Sequence, residues 1–475
     1  MSAYQSFIGL EIHIHLLTES KVFCNCPARF GDEPNRNVCP VCMGYPGVLP
    51  ALNEEAIFMS YLVGRALNCE LADEAIFDRK NYFYPDMTKN YQISQFHSPV
   101  GRNGWFDIRL EGEETKRIRI HDIHLEEDAG KMIHASGGSL LDYNRAGTAL
   151  LEIVTEPDLV TGEDAEAFIQ QFRNLVRQLG VCDGNMEEGS LRCDGNVSIN
   201  LKGKGLGTKT EVKNVNSSRF LRQALSYEIR RQKKLLDKGE AITQETRLWD
   251  EAAGRTEAMR SKESAHDYRY FPEPDLPPFR PTPDFLGKVD EALIELPLAR
   301  RTRFVEELGV KEVQADLLTE ERATADFFEA TVAAGVEAAA AAAWICGDVQ
   351  KHLKRREIAL GESSLSPARL AALIKLVEEN TVNRNGAREV LEAVLDEDKD
   401  PAEIVAERGL EQEDNSAELE ALIAKIADEN PQAVEQLTSG DMKPIGFFVG
   451  QIMRASGGKA DPKQVQSLIR AKFGL

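Results

Sequence analysis

The sequence predicts an α+β protein, in which a strand-rich first part is followed by helices. Residues 1–288 contain segments of alternating polar and apolar residues, separated by many Gly, Pro and Asn residues, as is typical of strands and turns. Six prolines lie between residues 272 and 283, where neither a helix nor a central strand can continue. Beyond them, apolar residues recur at helical spacing, for example over residues 297–308 and 320–343. We therefore predict three domains, the last two helical: 1–288, 289–400 and 401–475.

The composition limits the classes of protein that need to be considered. The chain of 475 residues has a net charge of -21, which argues against a protein that coats DNA but leaves room for a local basic surface. No apolar run reaches the roughly 18 residues that span a bilayer, and the N-terminal residues do not resemble a signal peptide. Eight cysteines in a chain of this length do not indicate a disulfide scaffold. We expect a reduced, cytoplasmic protein with no membrane partner.

The first predicted strand, residues 9–16, alternates polar and apolar side chains. Its polar face carries Glu11, His13 and His15. Such a face is either exposed to solvent or part of a site. The strand taken alone favours the solvent-exposed interpretation.

Four cysteines follow in two closely spaced pairs, Cys24 with Cys26 and Cys39 with Cys42. Each pair can supply two thiolates from one tight turn, which fits a tetrahedral Zn²⁺ site. Four thiolates leave no open coordination position, so such a zinc ion would be structural. The alternative is four free, buried cysteines.

Residues 78–92 interleave basic, aromatic and amide side chains without a helical or strand period. Lys80 and Lys89 could bind phosphate or carboxylate groups. Tyr82 and Tyr84 could line a channel or stack on a base. A structured loop with core tyrosines is the alternative.

The segment 121–158 concentrates acidic residues between apolar runs. Glu126 and Glu127 are adjacent, and Glu152 lies inside the apolar run 149–154. A charged group inside such a run must be paired, bind a metal or lie at a strand end. Salt bridges to Arg145 or Lys131 are the alternative to a functional site.

A later strand and the segment after it add further charged groups. Alternation over residues 191–199 places Arg192 and Asp194 on one face, and Lys213 follows in another polar-faced strand. Carboxylates with an imidazole suit Mg²⁺ or Mn²⁺ better than Zn²⁺. Neighbouring lysines and arginines are what phosphoryl transfer requires. The sequence has no P-loop or dinucleotide-binding glycine motif, so any nucleotide would bind a different kind of site.

The C-terminal residues are locally basic on an acidic protein. This pattern fits a phosphate-rich partner, although a solvated helix face is the alternative. The basic residues are Lys443, Arg454, Lys459, Lys463, Arg470 and Lys472.

Seven motifs, in this order, make the chain resemble the B subunits of the tRNA-dependent amidotransferases. The resemblance is dense from Gly9 to about Pro278 and continues more loosely to GFFVGQIMRASGG near the C-terminus. The motifs are GLEIHIHL, DRKNYFYPDMTKNYQISQF, HLEEDAGK, DYNRAGTALLEIVTEPD, GNMEEGSLRCDGNVSI, TEVKNVNS and DYRYFPEPDLPP.

The resemblance implies a cradle-shaped kinase and transamidase domain at 1–288, a helical tRNA-contacting domain at 289–400 and a small tail domain at 401–475. It implies a heterotrimer in which the partners are an amidase (the A subunit) and a small C subunit. The amidase would release ammonia from glutamine, and a channel would carry it to this chain. Here ATP would activate the misacylated carboxylate of Glu-tRNA(Gln) or Asp-tRNA(Asn) as an acyl phosphate, which ammonia would convert to the amide.

The resemblance also implies roles for individual residues. His13, Glu127 and Glu152 would bind Mg²⁺, with Glu126 as the alternative to Glu127, because adjacent strand residues face opposite sides. Glu11 and Asp194 would lie nearby, either as groups that support the metal ligands or as metal ligands themselves. The residues at the substrate, the phosphate or the channel mouth would be Lys80, Lys89, Tyr82, Tyr84, Arg192 and Lys213. The zinc ligands would be Cys24, Cys26, Cys39 and Cys42.

One residue departs from the family pattern, and two other functions remain open. At position 15 this sequence has His15, where the family more often has Gln or Glu. A non-catalytic tRNA-binding adaptor would use the acidic cluster only for salt bridges. A stand-alone carboxylate–amine ligase would turn over free ammonia and a small acid without tRNA.

Overall fold

Strands and helices separate along the chain as the α+β prediction requires. The computed structural model describes residues 3–110, 112, 115–135, 137–259, 268–412, 416–438, 442–455, 460 and 462–474. The chain forms two compact units, Met1–Leu298 and Ala299–Leu475. All strands of the described residues lie in the first unit. The α+β fold class is thus confirmed.

The first unit contains fourteen strands and four helices among its described residues. The strands are β1 (Tyr4–His15), β2 (Glu70–Leu71), β3 (Ile76–Asn81), β4 (Tyr91–Ser98), β5 (Gly101–Arg109), β6 (Thr115–Glu127), β7 (Lys131–Ala135), β8 (Gly138–Asp142), β9 (Ala149–Thr155), β10 (Leu191–Leu201), β11 (Thr210–Lys213), β12 (Glu245–Asp250), β13 (Arg255–Ala258) and β14 (Phe271–Pro272). The helices are α1 (Glu54–Ala66), α2 (Gly162–Gln178), α3 (Ser218–Asp237) and α4 (Pro283–Ala292).

A nine-stranded sheet organises this unit, in the order β13-β12-β11-β10-β1-β9-β6-β5-β2. The strand β1 lies between β10 and β9 and pairs antiparallel with both. Its apolar face is buried, with Ile8, Ile12 and Ile14 at 0% exposure, in a core that also contains side chains of α1, α2 and α3. Because side chains alternate along a strand, the same residues place Glu11, His13 and His15 on the other face.

Glycine allows one helix to approach this sheet closely. A Cβ atom at Gly195 of β10 would lie 2.5 Å from Leu225 Cδ2 of α3. A larger residue there would require the Leu225 side chain or α3 itself to shift.

A small sheet lies beside the end of β6, in the order β14-β3-β4. Gln92 Nε2 of β4 donates to the carbonyl of Glu127 at 2.7 Å, and Leu125 N donates to Gln95 Oε1 at 3.0 Å. These bonds hold β3 and β4 against the strand that carries the acidic segment.

The second unit is helical throughout its described residues. Its helices, the first of which begins at the boundary, are α5 (Pro297–Glu306), α6 (Glu312–Leu318), α7 (Arg322–Ala333), α8 (Ala338–Trp344), α9 (Gln350–Arg356), α10 (Pro367–Glu378), α11 (Arg384–Asp396), α12 (Pro401–Arg408), α13 (Ser416–Glu429), α14 (Pro431–Thr438), α15 (Pro444–Ala455) and α16 (Pro462–Phe473). A π-helical turn, Ile345–Val349, joins α8 to α9, and Leu360–Glu362 is a 3₁₀ turn.

Helical periodicity over residues 320–343 corresponds to two helices, α7 and α8, and not to one. The chain turns at Gly335, whose φ is +88°, a conformation that interrupts a right-handed helix. The periodic pattern passes through this break because both helices bury small and apolar residues in one core.

The described residues of this unit form two separate hydrophobic cores. One includes Ile404 and Val405 of α12, and the other is built by α13, α15 and α16 with their neighbours. The predicted division at 400 separates α12 from the core that contains its side chains, so we propose that the small tail domain starts near residue 411 instead. The division at 288 stays a prediction. Among the C-terminal basic residues, Lys459 lies outside the described residues. In the described part of the chain, no helix is both long and apolar enough to cross a membrane.

Candidate functional site

Strand register brings one acidic residue between two histidines. Glu152 of β9 is paired directly with His13 of β1 on one side and with His124 of β6 on the other. Directly opposed residues share a face of the sheet, so the three side chains converge. His13 Nε2 and His124 Nε2 each lie 3.2 Å from Glu152 Oε2.

Two further glutamates complete this cluster. Glu126 lies two residues after His124 and so faces the same side; its Oε2 lies 4.0 Å from His124 Nε2 and accepts a hydrogen bond from Ser94 Oγ at 3.0 Å. Glu11 Oε1 lies 3.9 Å from His13 Nε2. The polar face of β1 is therefore not simply exposed to solvent: the side chain of His13 is only 16% exposed. We call Glu11, His13, His124, Glu126 and Glu152 the Glu152 cluster.

The charges of the Glu152 cluster depend on one another. Burial would lower the pKa of His13, but the hydrogen bond and charge of Glu152 raise it above the ordinary value. The pKa of His124 is raised further, since Glu152 and Asp122 outweigh its burial. Burial would raise the pKa of Glu152, but His124 and His13 hold it well below its usual range. Glu152 thus favours the protonated form of both imidazoles, and the imidazoles favour the ionised form of Glu152.

The carboxylate oxygens and imidazole nitrogens of the Glu152 cluster are also suited to bind a metal ion. Of the described residues on this face, Glu11, His13 and Glu152 offer one set of ligand atoms within 4.8 Å of one another. His124, Glu126 and Glu152 offer a second set. Carboxylate oxygens with an imidazole nitrogen fit Mg²⁺ or Mn²⁺.

The structure does not bring Glu127 together with His13 and Glu152. Glu127 faces the opposite side of β6, where its Oε1 accepts a hydrogen bond from Ile93 N at 2.9 Å and forms an ion pair with Lys89. Of the two adjacent glutamates, Glu126 is the one that faces the cluster. Neither Glu127 nor Glu152 makes the salt bridge to Arg145 or Lys131 that the sequence left open, because the partner of Glu127 is Lys89 and those of Glu152 are histidines.

Lys80 and Tyr82 lie beside the Glu152 cluster. Burial would lower the pKa of Lys80, but the negative charge of Glu126 raises it, which keeps the amine protonated. Its Nζ lies 5.1 Å from the centre of the Tyr268 ring, and the Tyr82 ring meets Tyr268 edge-on at 6.1 Å. Tyr84, farther along, is 39% exposed.

The strand β10 supplies the remaining predicted residues. Asp194 is paired with Glu11, and its Oδ2 accepts a hydrogen bond from Lys213 Nζ at 2.8 Å. Arg192 is paired with His13 and donates from Nη2 to Asp128 Oδ2 at 2.8 Å. These four groups form the rim of the cluster toward β10 and β11.

His15 contacts the same carboxylate as Arg192. Its Nε2 lies 2.7 Å from Asp128 Oδ2, and Arg145 Nε lies 3.3 Å from that oxygen. The second imidazole of β1 therefore bonds to Asp128 and does not take part in the two ligand sets.

The four predicted zinc ligands lie together. The Sγ atoms of Cys24, Cys26, Cys39 and Cys42 all lie within 4.8 Å of one another. Those of Cys39 and Cys42 are 3.9 Å apart. Sulfurs bound to one zinc ion at about 2.3 Å in a tetrahedron are about 3.8 Å apart. A hydrogen bond from Cys24 lowers the pKa of Cys42 to about 4. These donors fit Zn²⁺, whose binding stays a prediction.

A fully buried lysine and the Lys89 segment border the cysteines. Lys21 Nζ donates to the carbonyl of Asn37 at 2.7 Å and lies 3.6 Å from Cys42 Sγ. Thr88 Oγ1 donates to the carbonyl of Cys42 at 2.7 Å. A cavity of about 220 Å³ lies here, with Cys24, Cys42, Lys89, Tyr91 and Glu127 in its wall.

Sequence reasoning missed His124 and two side chains that support the cluster, Asp122 and Ser94. His124 Nδ1 lies 3.1 Å from Asp122 Oδ1, and Ser94 supports Glu126 from another sheet. The alternation Asp122-x-His124-x-Glu126 was a signal that these residues share one face. Only the pairing of β6 with β9 shows that this face meets Glu152.

Comparison with known proteins identifies close relatives of the whole chain. Residues 6–287 match the family model described as "GatB/GatE catalytic domain", and residues 326–473 match the "GatB domain". Proteins named as the B subunit of an aspartyl/glutamyl-tRNA(Asn/Gln) amidotransferase are similar throughout. The one from Thermodesulfovibrio yellowstonii is 49% identical over 98% of both chains. The one from Geobacter sulfurreducens is 47% identical over 99% of both.

Proposed function

The chain belongs to the family of B subunits of the tRNA-dependent amidotransferases, and on this premise we propose that it amidates the side-chain carboxylate of Glu-tRNA(Gln), Asp-tRNA(Asn) or both. It is then a ligase that acts on aminoacyl-tRNA. The observation that carries the proposal is the buried Glu152 cluster, with Lys80 beside it.

Amide formation from a carboxylate requires activation, because ammonia does not displace an oxide ion. In the proposed reaction, a carboxylate oxygen of the aminoacyl group attacks the γ-phosphorus of ATP and ADP leaves, which gives an acyl phosphate. Ammonia then attacks the acyl carbon, the carbon–oxygen bond to phosphate breaks, and the nitrogen loses a proton. The site must therefore bind phosphate, hold cations and exclude water from the acyl phosphate.

The residues of the first unit fit these requirements. His13, Glu126 and Glu152 are the proposed Mg²⁺ ligands, with Glu126 in the place first given to Glu127. Magnesium, when bound, would offset the charge of the phosphate oxygens. Lys80 supplies a fixed positive charge. Burial would lower the pKa of its amine, but the negative charge of Glu126 contributes to raising it above the ordinary value.

The rim residues orient the substrate in this proposal. Arg192 and Lys213 are each held by a carboxylate, at 2.8 Å from Asp128 and from Asp194 respectively. A cation held in this way keeps a defined position for phosphate or for the tRNA 3′ end.

The other side of β6 would serve the ammonia supply. We place Lys89 and Glu127 at the channel mouth, because their ion pair lies in the wall of a cavity. Tyr82 and Tyr84 would line the passage between this cavity and the Glu152 cluster. The ammonia would come from an amidase, the A subunit, while a small C subunit would complete a cytoplasmic heterotrimer.

The zinc site and the second unit have supporting roles in this proposal. Zn²⁺ on the four cysteines would be structural, since four thiolates leave no position for substrate. The helices after residue 289 and the basic residues of the tail would contact tRNA.

The test is ATP-dependent formation of Gln-tRNA(Gln) from Glu-tRNA(Gln) by this chain assembled with its A and C partners. Ammonium as nitrogen donor bypasses the glutaminase and isolates the step that this chain performs. We expect Glu152→Gln to lower kcat by about 100-fold or more, equivalent to ~2.7 kcal/mol of transition-state stabilisation. The matched control is Glu156→Gln, at a residue just beyond β9 that contacts exposed His121.

The result separates the proposal from its rivals. Normal turnover by a folded, tRNA-binding Glu152→Gln variant would reduce the cluster to a structural ion-pair network. Turnover of free glutamate without tRNA would indicate a stand-alone ligase.

A further inference from the structure

Cys39 and Cys42 form a close pair of thiols within the cysteine cluster. Their sulfurs are 3.9 Å apart, and the C-x-x-C spacing of the two residues is one that redox-active dithiols use. Cys39 is partly exposed, whereas Cys42 is buried. An oxidant from solvent can therefore reach the first thiol, while the second is held beside it.

The turn that carries Cys42 contacts the segment that carries Lys89. Thr88 Oγ1 donates to the carbonyl of Cys42 at 2.7 Å, and Gly44 lies directly against the backbone of Lys89. Lys89 forms the ion pair with Glu127. Cys42, Lys89 and Glu127 all lie in the wall of the cavity of about 220 Å³. A displacement of Cys42 would thus change the wall of this cavity.

Lys21 connects the same sulfur to another part of the cavity wall. It is fully buried, and its Nζ lies 3.6 Å from Cys42 Sγ. This amine also donates to the carbonyls of Asn37 at 2.7 Å and of Tyr143 at 3.3 Å. A Cβ atom at Gly147, a residue of the cavity wall, would lie 3.5 Å from Lys21 Cδ. Because these groups are closely packed, the Cys42 sulfur cannot move without disturbing them.

We propose that Cys39 and Cys42 are a site of reversible oxidation by peroxides, and that their disulfide blocks the delivery of ammonia through the cavity beside Lys89. The role of the cavity rests on the proposed function, whereas the modification does not. The Glu152 cluster lies on the face of β6 opposite to Glu127, so the disulfide leaves the amidation step itself intact. Disulfides of cytoplasmic proteins are usually transient and often act in redox sensing.

The oxidation takes place in two balanced steps. The Cys39 sulfur attacks one oxygen of hydrogen peroxide, the oxygen–oxygen bond breaks, and a sulfenic acid and one water form. The Cys42 sulfur then attacks the Cys39 sulfur and a second water leaves, so that two thiols are oxidised and one peroxide is reduced. The disulfide draws the two sulfurs from 3.9 Å to about 2.05 Å. The cluster then has two fewer thiolates and would also release bound zinc.

The test treats this chain, assembled with its A and C partners, with hydrogen peroxide. Disulfides are mapped by mass spectrometry after free thiols are alkylated, and released zinc is measured with a chromogenic chelator. We expect a Cys39–Cys42 disulfide, loss of zinc and a fall of about 10-fold or more in glutamine-dependent amidation, because a displacement of ~1 Å can cost that much. Amidation with ammonium should be nearly unchanged. Dithiothreitol with added Zn²⁺ should restore the glutamine-dependent rate.

Matched variants separate this pair from the other thiols of the complex. Cys39→Ser removes the thiol that peroxide reaches first, so the glutamine-dependent rate that remains should no longer respond to peroxide. Cys346→Ser, at a partly exposed cysteine of the second unit, should leave the response as in the wild type. The disulfide map and the comparison of the two nitrogen donors need only the wild type.

The outcomes distinguish the modification from its consequence. Absence of the Cys39–Cys42 disulfide, or an unchanged response in Cys39→Ser, would overturn the oxidation site. A disulfide without loss of glutamine-dependent amidation, or with equal losses for glutamine and ammonium, would overturn its coupling to ammonia delivery. Neither result would overturn the proposed function, which fails only if the untreated complex does not amidate with either nitrogen donor.

Discussion

The two sides of β6 use adjacent glutamates in different ways. Glu126 belongs to a cluster of three carboxylates and two imidazoles, in which the groups do not form separate one-to-one pairs. Glu127, in contrast, is neutralised by one partner, Lys89. Next to Glu127, the four cysteines build a closed set of sulfurs. The difference teaches that one strand can supply a cluster of potential metal ligands on one face and a neutralised ion pair on the other. A shift of one residue in register would exchange the two roles.

The largest expected effect comes from exchanging these two glutamates for glutamine, one at a time. With ammonium as nitrogen donor, Glu126→Gln should lower amidation by about 100-fold or more, because it removes a charged ligand from the Glu152 cluster. Glu127→Gln should change the same rate by less than about 3-fold but impair the glutamine-dependent reaction. Each variant is the positional control for the other. Equal losses with ammonium would break the comparison of the two faces.

A smaller effect, on stability and not on chemistry, is expected at the cysteines. Cys39→Ser should abolish zinc binding and cost about 2 kcal/mol, which lowers the Tm of a unit of this size by about 3 °C. The measurements are metal content and thermal unfolding of the purified chain. Cys346→Ser, in the second unit, is the control and should leave zinc unchanged. Ammonium-dependent amidation at 25 °C should persist, and its loss would give the cysteines a catalytic role.

The smallest effect is expected at His15, on the rim of the Glu152 cluster. His15 Nε2 lies 2.7 Å from Asp128 Oδ2. Glutamine can also donate a hydrogen bond to Asp128, so His15→Gln should keep this contact. We expect less than about a 3-fold change in kcat and in KM for ATP. His15→Leu, which cannot donate, should raise KM because Asp128 holds Arg192. Equal kinetics for both variants would remove this network from substrate binding.

The sequence predicted features that depend on local pattern. The alternation over residues 9–16 correctly predicted that His13 lies on the polar face of a strand. The short spacing within each cysteine pair correctly predicted that the four cysteines lie together. In each case the pattern and the structure it indicates lie within a few residues.

Features that depend on pairing between distant strands were not predictable in this way. Nothing local decides whether Glu126 or Glu127 faces Glu152, since both are acidic and adjacent. His124 was missed because its neighbour Glu152 is 28 residues later and is brought beside it only by the register of β6 with β9. The break at Gly335 was missed because two helices on one core share one apolar pattern.

The contact between the cysteine loop and the Lys89 segment couples the position of Lys89 to the conformation of that loop. A Cβ atom at Gly44 would lie 2.5 Å from Lys89 Cγ, and Thr88 is bonded to the carbonyl of Cys42. A side chain at position 44 could be accommodated only if Lys89 moved. A change at Gly44 or Thr88 would therefore disturb the cysteine loop and the ion pair of Lys89 with Glu127 together.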